Sequence, residues 1–268
     1  IRTGQAECII AGGAESMSRS EFYIPGEFMK WGVGGGIDSK WGFSPRHHGS
    51  LSLWGLPFYD RIQRGRPRHQ PIERFGELNS MMTWAEAAAK KEGISREEAD
   101  QWALGSHAKA IKGMDAFKFA EEITPVPVKQ KGTEVSLDRD ETPRRETTLE
   151  KLAKLRAVYP DGICTAGNSS SENDAAAALV VTTPEIAESH GVKPLAYLKS
   201  FGVAGADPTL TYPAVPAAVN RALKRAGLAI DAIDLIEIQE AFAAQALADA
   251  KLMGLSAADL DQKVNVNG

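Results

Sequence analysis

Two cysteines, Cys8 and Cys164, and five histidines hold the nucleophilic and metal-ligating capacity of this 268-residue chain. Two sulfurs build neither a disulfide scaffold nor a four-sulfur zinc site, and the histidines stand in no metal-binding spacing, so no metal is expected. The His47-His48 pair sits in Gly/Ser-rich text that reads as a solvated loop. Cys8 lies in the apolar run Cys8-Ile9-Ile10-Ala11, and Cys164 precedes Thr165-Ala166-Gly167-Asn168. Neither has a cation or histidine nearby in sequence to depress its pKa, so both read as small core hydrophobes. Gln239 heads Glu240-Ala241-Phe242 at the end of a predicted strand, the place where open α/β sheets collect ligands. Between Asp38 and Gln70, six Lys/Arg face two acids, and the run Arg61-Ile62-Gln63-Arg64-Gly65-Arg66-Pro67-Arg68 invites a nucleic-acid reading. The net charge of −4 and the absence of an RNA-binding motif argue against that, so no nucleic-acid partner is expected.

The elements that must carry these residues follow from pattern. Residues 6–11 read as a buried parallel strand stopped by Gly12-Gly13. From Ser18 to Asn79, aromatics (Phe28, Trp31, Trp41, Phe43, Trp54, Phe58, Tyr59) alternate with glycine, proline and arginine without clean period, the text of a long binding loop. Met81, Met82, Ala85, Ala88 and Ala89 form one helical stripe. Ser95-Arg96-Glu97-Glu98 is a capping box that opens a second helix with Ala99, Trp102, Ala103, Ser106 and Ala110 on one face. Short strands are expected at 123–128 and 133–137, and Thr147-Thr148-Leu149-Glu150 opens a third helix. Residues 175–181 read as a helix end or buried strand, and Thr183-Pro184-Glu185 starts a helix with proline in its first position. From Pro194 the order is strand (195–203), helix (214–227), strand (233–238), helix (240–254), an alternation that predicts an α/β fold with right-handed crossovers. Hydrophobic content of 43% and charged content of 25% belong to an ordinary globular chain, and no apolar run approaches the length that spans a bilayer. No membrane partner is therefore expected, and the location is taken to be cytoplasmic.

Three stretches occur in order: Gly12-Gly13-Ala14-Glu15-Ser16-Met17-Ser18, Thr165-Ala166-Gly167-Asn168-Ser169-Ser170 and Glu240-Ala241-Phe242-Ala243-Ala244-Gln245, followed by Val264-Asn265-Val266-Asn267-Gly268. Together they resemble the thiolases, acyl-CoA:acetyl-CoA C-acyltransferases, over nearly the whole chain. The resemblance implies a five-layer αβαβα fold with an inserted loop domain, incomplete in this chain. Residues 1–16 and 175–192 would belong to the N-terminal α/β half, 17–174 to the loop domain over coenzyme A, and 193–268 to the first part of the C-terminal half. It implies acyl-CoA and CoA as partners, CoA as a substrate, no permanently bound cofactor, and a homodimer or homotetramer.

By the same resemblance, a cysteine nucleophile precedes the first stretch, and a histidine and second cysteine follow the last. The catalytic triad of the family then lies outside these residues, and the chain alone is expected to be inactive. Gln239 stands where the family usually has Asn, which fixes a water that donates to the thioester oxygen. Gln keeps the amide donor and adds one methylene; an inert turn residue is the competing reading. Substrate-binding counterparts are Arg144 at the nucleotide end of CoA, with Arg145 as a possible substitute, Ser170 at the pantetheine amide, Phe242 in the pantetheine tunnel and Met81 near the acyl group. Packing or turn formation competes for Ser170, Phe242 and Met81. The alternative function is a non-catalytic acyl-CoA-binding or scaffold subunit of the same fold.

Overall fold

The computed structural model describes residues 1, 3–23, 50–53, 56–60, 74 and 80–268. In chain order the elements are β1 (Cys8–Ser16), β2 (Phe22–Tyr23), β3 (Ser50–Leu53), β4 (Leu56–Asp60), α1 (Met81–Glu92), α2 (Arg96–Asp115), β5 (Val126–Gln130), β6 (Thr133–Leu137), α3 (Leu149–Ala153), β7 (Asp174–Thr182), α4 (Pro184–Ser189), α5 (Ala214–Ala226), α6 (Ala243–Leu252) and α7 (Ala257–Gln262). The chain separates into two units, Ile1–Ser80 with Glu172–Lys199 and Met81–Ser171 with Ser200–Gly268. The aromatics Phe28, Trp31, Trp41, Phe43 and Trp54, the His47-His48 pair and the basic run 61–68 lie outside the described residues.

In the first unit β1 pairs with β7 antiparallel, from Cys8 opposite Thr182 to Ser16 opposite Asp174. This corrects three expectations. The strand is not parallel, it does not stop at Gly12-Gly13, and it is not buried: Ile10 is 77% exposed and Val180 69%. Cys8 is exposed as well, not core. The run continues through the glycines because the partner comes close there. A Cβ on Gly12 would stand 2.6 Å from the Ala177 carbonyl oxygen, a distance that only glycine accommodates. Exposure follows because, among the described residues, no helix packs extensively on this two-stranded ribbon. Ser18 closes the ribbon, donating from N–H to Asp174 Oδ1 (2.9 Å) and from Oγ to Oδ2 (2.5 Å). Part of the segment expected to be irregular is ordered into a short antiparallel sheet with β4 between β2 and β3.

The second unit is helical at its centre. The α1 stripe appears as expected, with Ala85, Ala88 and Ala89 at 0–2% exposure, and packs on α6. Helix α6 is buried almost all round: Ala244 meets Ala85, Ala89 and Cys164; Ala248 meets Ala88 and Tyr212; Ala246 and Ala250 meet Ile238 and Val264. Alanine suits this use, since it favours helix and lets backbones approach closely. The Ser95/Glu98 capping box forms as read, with Ser95 N–H donating to Glu98 Oε2 at 2.7 Å. A second one, Ser256/Asp259, starts α7. Gly227 ends α5 at φ +67°. Lys131 and Gly132, both at positive φ, make the two-residue turn between β5 and β6, and Pro127 is tolerated because each strand of a lone pair is an edge.

Two predicted strands are not found. Residues 195–203 carry no strand, and Leu195, Tyr197, Leu198 and Val203 are 70–100% exposed. Residues 233–238 contribute one parallel bridge, Ile236 to Val264. The β-branched and aromatic text is right for strands, but a strand exists only where a neighbour takes its hydrogen bonds.

Candidate active site

Thr165-Ala166-Gly167-Asn168 is a turn whose shape is dictated from below. Glu86 on α1 accepts the Ile163 and Cys164 N–H groups at 3.0 and 2.8 Å. A Cβ at Gly162 would lie 2.5 Å from Glu86 Oε1, so a larger residue there would push against the carboxylate that holds the turn. Thr165 Oγ1 accepts the Gly167 N–H at 3.1 Å, the local bond expected of a hydroxyl in a turn. Asn168, 4% exposed, accepts the Thr165 N–H (2.7 Å) through Oδ1 and donates from Nδ2 to the Ile163 carbonyl (2.9 Å) and Asp100 Oδ1 (2.8 Å). Asp100 on α2 is ion-paired with Arg96 at 2.8 Å, and Arg96 reaches on to the Leu152 and Leu155 carbonyls.

This turn is bonded to the Glu240-Ala241-Phe242 segment. Ser170 N–H donates to the Ala241 carbonyl and Ala243 N–H to the Asn168 carbonyl, each at 3.0 Å, and Ser169 bridges Phe242. The second bond also satisfies one of the orphan N–H groups at the start of α6. Ser170 and Phe242 are thus brought together. Ser170 is exposed, and Phe242 is half-buried over Ala85, Ala89, Cys164 and Ala244. Met81 opens α1 at 46% exposure, while its neighbour Met82 packs in the same cluster as Phe242. Gln239 is exposed, between Ile238 and Glu240, and both of these are held by Asn265.

Arg144 is exposed, and its N–H donates to His107 Nδ1 on α2 at 3.3 Å. Burial, and then the Arg144 charge, hold the His107 pKa below its ordinary value, and the opposing pull of Glu240 is smaller. A neutral imidazole is what can accept that bond. Arg145 is less available as a substitute than the sequence suggested, since both its terminal nitrogens donate to Asp115. Those hydrogen bonds hold the Asp115 carboxyl below the usual range. Beside this pair runs an open groove of about 660 Å³ lined by Ala108, Ile111, Lys112, Asp115, Ala116 and Arg145. Sequence reading named neither His107, Asn168 and Asn265 nor Glu86 and Asp100 as site-forming. The asparagines were quoted within the motifs, and their side-chain roles required the fold.

Cys164 is 1% exposed, and burial first, then the Glu86 charge and hydrogen bond, push its thiol well above the ordinary range. It is expected to resist a thiol-exchange reagent at pH 8 in the folded protein and to react on denaturation. Rapid labelling of Cys164 in the native state, read by peptide mapping, would contradict this burial. Among the described residues no group of His, Cys, Asp or Glu is placed to hold a metal ion.

The thiolase N-terminal domain profile matches residues 1–185 and the thiolase C-terminal domain profile residues 192–268. Acetyl-CoA acetyltransferase from Pseudomonas aeruginosa is 39% identical over all of this chain and 61% of its own length; beta-ketothiolase BktB from Cupriavidus necator gives the same figures. The crystal structure of the Bacillus anthracis acetyl-CoA acetyltransferase superposes with a TM-score of 0.81 at 34% identity, covering 99% of this chain and 60% of that one. Human mitochondrial 3-ketoacyl-CoA thiolase gives 0.80 at 33%, with the same coverage. The chain spans about three fifths of the length of the curated relatives it matches. Two domain profiles in sequence, and a fold shared at a third identity or more, go together with a turn-to-helix junction built from the quoted motifs: the chain belongs to the thiolase family, with a thiolase-like α/β fold.

Proposed function

We propose that this protein is an acyl-CoA C-acyltransferase that cleaves or forms β-ketoacyl-CoA through a cysteine acyl-enzyme, the Cys/His/Cys apparatus lying outside these residues. The observation that carries the reading is the hydrogen-bonded junction of the 165–170 turn with Ala241–Ala243, which sets Ser170 beside Phe242 at the mouth of α6. In this reading the Ser170 hydroxyl serves the pantetheine amide, Phe242 forms an apolar wall for the pantetheine arm, and Met81 faces the acyl group. Arg144 meets the nucleotide phosphates, for which a guanidinium is well suited. The Gln239 carboxamide orients a water toward the thioester oxygen, where a donor matters most because negative charge develops there in the transition state.

CoA is here a substrate, and no resident cofactor is needed. We take a homodimer or homotetramer and a cytoplasmic location as part of the same reading. The exposed Ile10, Leu179 and Val180 favour assembly, and no described helix is long and apolar enough to cross a membrane. The test is a thiolysis assay of the intact protein with short- and long-chain β-ketoacyl-CoA. CoA-dependent cleavage of at least one is expected. Retained acyl-CoA binding with no turnover on any would replace this reading by that of a non-catalytic acyl-CoA-binding subunit.

A further inference from the structure

The parallel pairing of residues 263–265 with Ile236 stops after one bridge, and a side chain takes over where the backbone leaves. Ile236 N–H donates to the Lys263 carbonyl and Asn265 N–H to the Ile236 carbonyl, each at 2.9 Å. At Asn265 the chain turns away with φ +44°, a conformation for which asparagine is among the better non-glycine residues. Its carboxamide then acts as a substitute peptide for Ile238, accepting that N–H at 2.8 Å and donating to that carbonyl at 2.9 Å. Nδ2 also donates to Glu240 Oε1, at 2.5 Å. Asn265 is 4% exposed, and its two bonds to Ile238 form away from competing water. Both neighbours of Gln239 are therefore fixed by one carboxamide, while Gln239 itself stays exposed. Aspartate lacks the donors this needs, and glutamine would place the same group one methylene too far.

We infer that Asn265 is the positioning residue for Gln239, with the Glu240 carboxylate as its second anchor. The inference rests on the catalytic role proposed for Gln239. Its value is geometric, since a donor displaced by about 1 Å from a reacting centre loses on the order of 10²-fold in rate.

Two variants of the intact protein test it, with kcat, both KM values and amide exchange of the 236–243 peptide as readouts. Asn265→Gly keeps a backbone that tolerates positive φ and removes the carboxamide. It should lower kcat by roughly 30- to 100-fold, leave KM for CoA within about 3-fold, and deprotect 236–243 while α1 stays protected. Asn265→Asp sets a carboxylate against Glu240, and adding Glu240→Gln supplies a donor facing it. That second change should recover about 10-fold of the lost kcat, which a purely structural role would not predict. If Asn265→Gly fails to fold, the rescue pair decides. An active wild type with unchanged kcat in Asn265→Gly, unchanged exchange at 236–243, or no rescue overturns this inference alone. A wild type that cleaves no β-ketoacyl-CoA overturns the functional reading and this inference with it.

Discussion

Replacing Asp249 by asparagine is expected to stabilise the protein by about 3 kcal/mol at pH 8 and to change nothing near pH 4. Asp249 lies on α6 with no exposed surface. Gln245, one turn earlier, donates to Oδ2, while Oδ1 has no hydrogen-bond partner among the described residues. Burial raises the carboxyl pKa from 3.8 to about 7, and the Gln245 bond opposes that only in part. No cation among the described residues counters the burial of this carboxyl. From α1, Glu92 accepts the Tyr212 hydroxyl at 2.5 Å, and burial, Glu92 and Asp249 together push that phenol up to about 12.

The sign follows from proton counts. The unfolded chain loses this proton near pH 4 and the folded chain near pH 7, so between them the folded state holds the extra proton. Stability therefore falls as pH rises through that window and is flat above it. Three pKa units correspond to about 4 kcal/mol, of which the substitution recovers most, because a neutral carboxamide still leaves one buried polar group unpaired. Urea unfolding at pH 4, 6 and 8 is the measurement. Curves for Asp249→Asn and wild type that coincide at pH 8 would show the carboxylate to be solvated in the native state.

What the sequence disclosed depended on how far apart the cooperating residues lie. Ser95 with Glu98 and Thr183 ahead of Pro184 are readable because cap and helix are within three residues, whereas at Thr147-Thr148-Leu149-Glu150 the helix was readable and its cap proved to be Thr148, which accepts the Lys151 N–H. Ile9, Ile10 and Ala11 were readable as strand, but their exposure and antiparallel partner depended on residues 179–181, far along the chain. The same held for 195–203, where side-chain type favoured a strand but no partner strand exists among the described residues, and Arg225 and Arg221 donate to the Phe201 and Val203 carbonyls instead. At the site, Thr165-Ala166-Gly167-Asn168 and Glu240-Ala241-Phe242 were recognisable as motifs, yet nothing local says that Ser170 N–H bonds to Ala241. Arg145 looked as available as Arg144 until Asp115, thirty positions away, was found to hold it. Asp249 was invisible for a related reason. An aspartate among alanines on a helix reads as solvent-facing, and only the packing of α6 against both α1 and Val264 makes it internal.

Asn168 offers the second large effect, because its carboxamide serves three buried groups at once. Asn168→Ala leaves the Thr165 N–H, the Ile163 carbonyl and Asp100 Oδ1 short of a partner, the last on a carboxylate whose side chain is 5% exposed. Each unmet buried group costs roughly 1–3 kcal/mol, and shared relaxation keeps the total near about 4 kcal/mol. That loss should be nearly independent of pH, because Arg96 continues to pair Asp100. Asn168→Asp separates the hydrogen-bond account from simple loss of volume. It keeps the acceptor for Thr165 but sets a second carboxylate against Asp100, and two such groups in contact share one proton with a raised pKa. A raised carboxyl pKa contributes stability at low pH that is lost as pH rises, so this variant, whose one O–H replaces only one of the two Nδ2 donations, should lose about 1–3 kcal/mol near pH 4 and several kcal/mol more by pH 8. Thermal unfolding of both variants across that range is the test. Parallel pH profiles for the two would mean that Asn168 fills space rather than joins Asp100 to the turn. In that case the 165–170 turn would owe its shape to Glu86 alone, and Ser170 and Phe242 would keep their places without the asparagine.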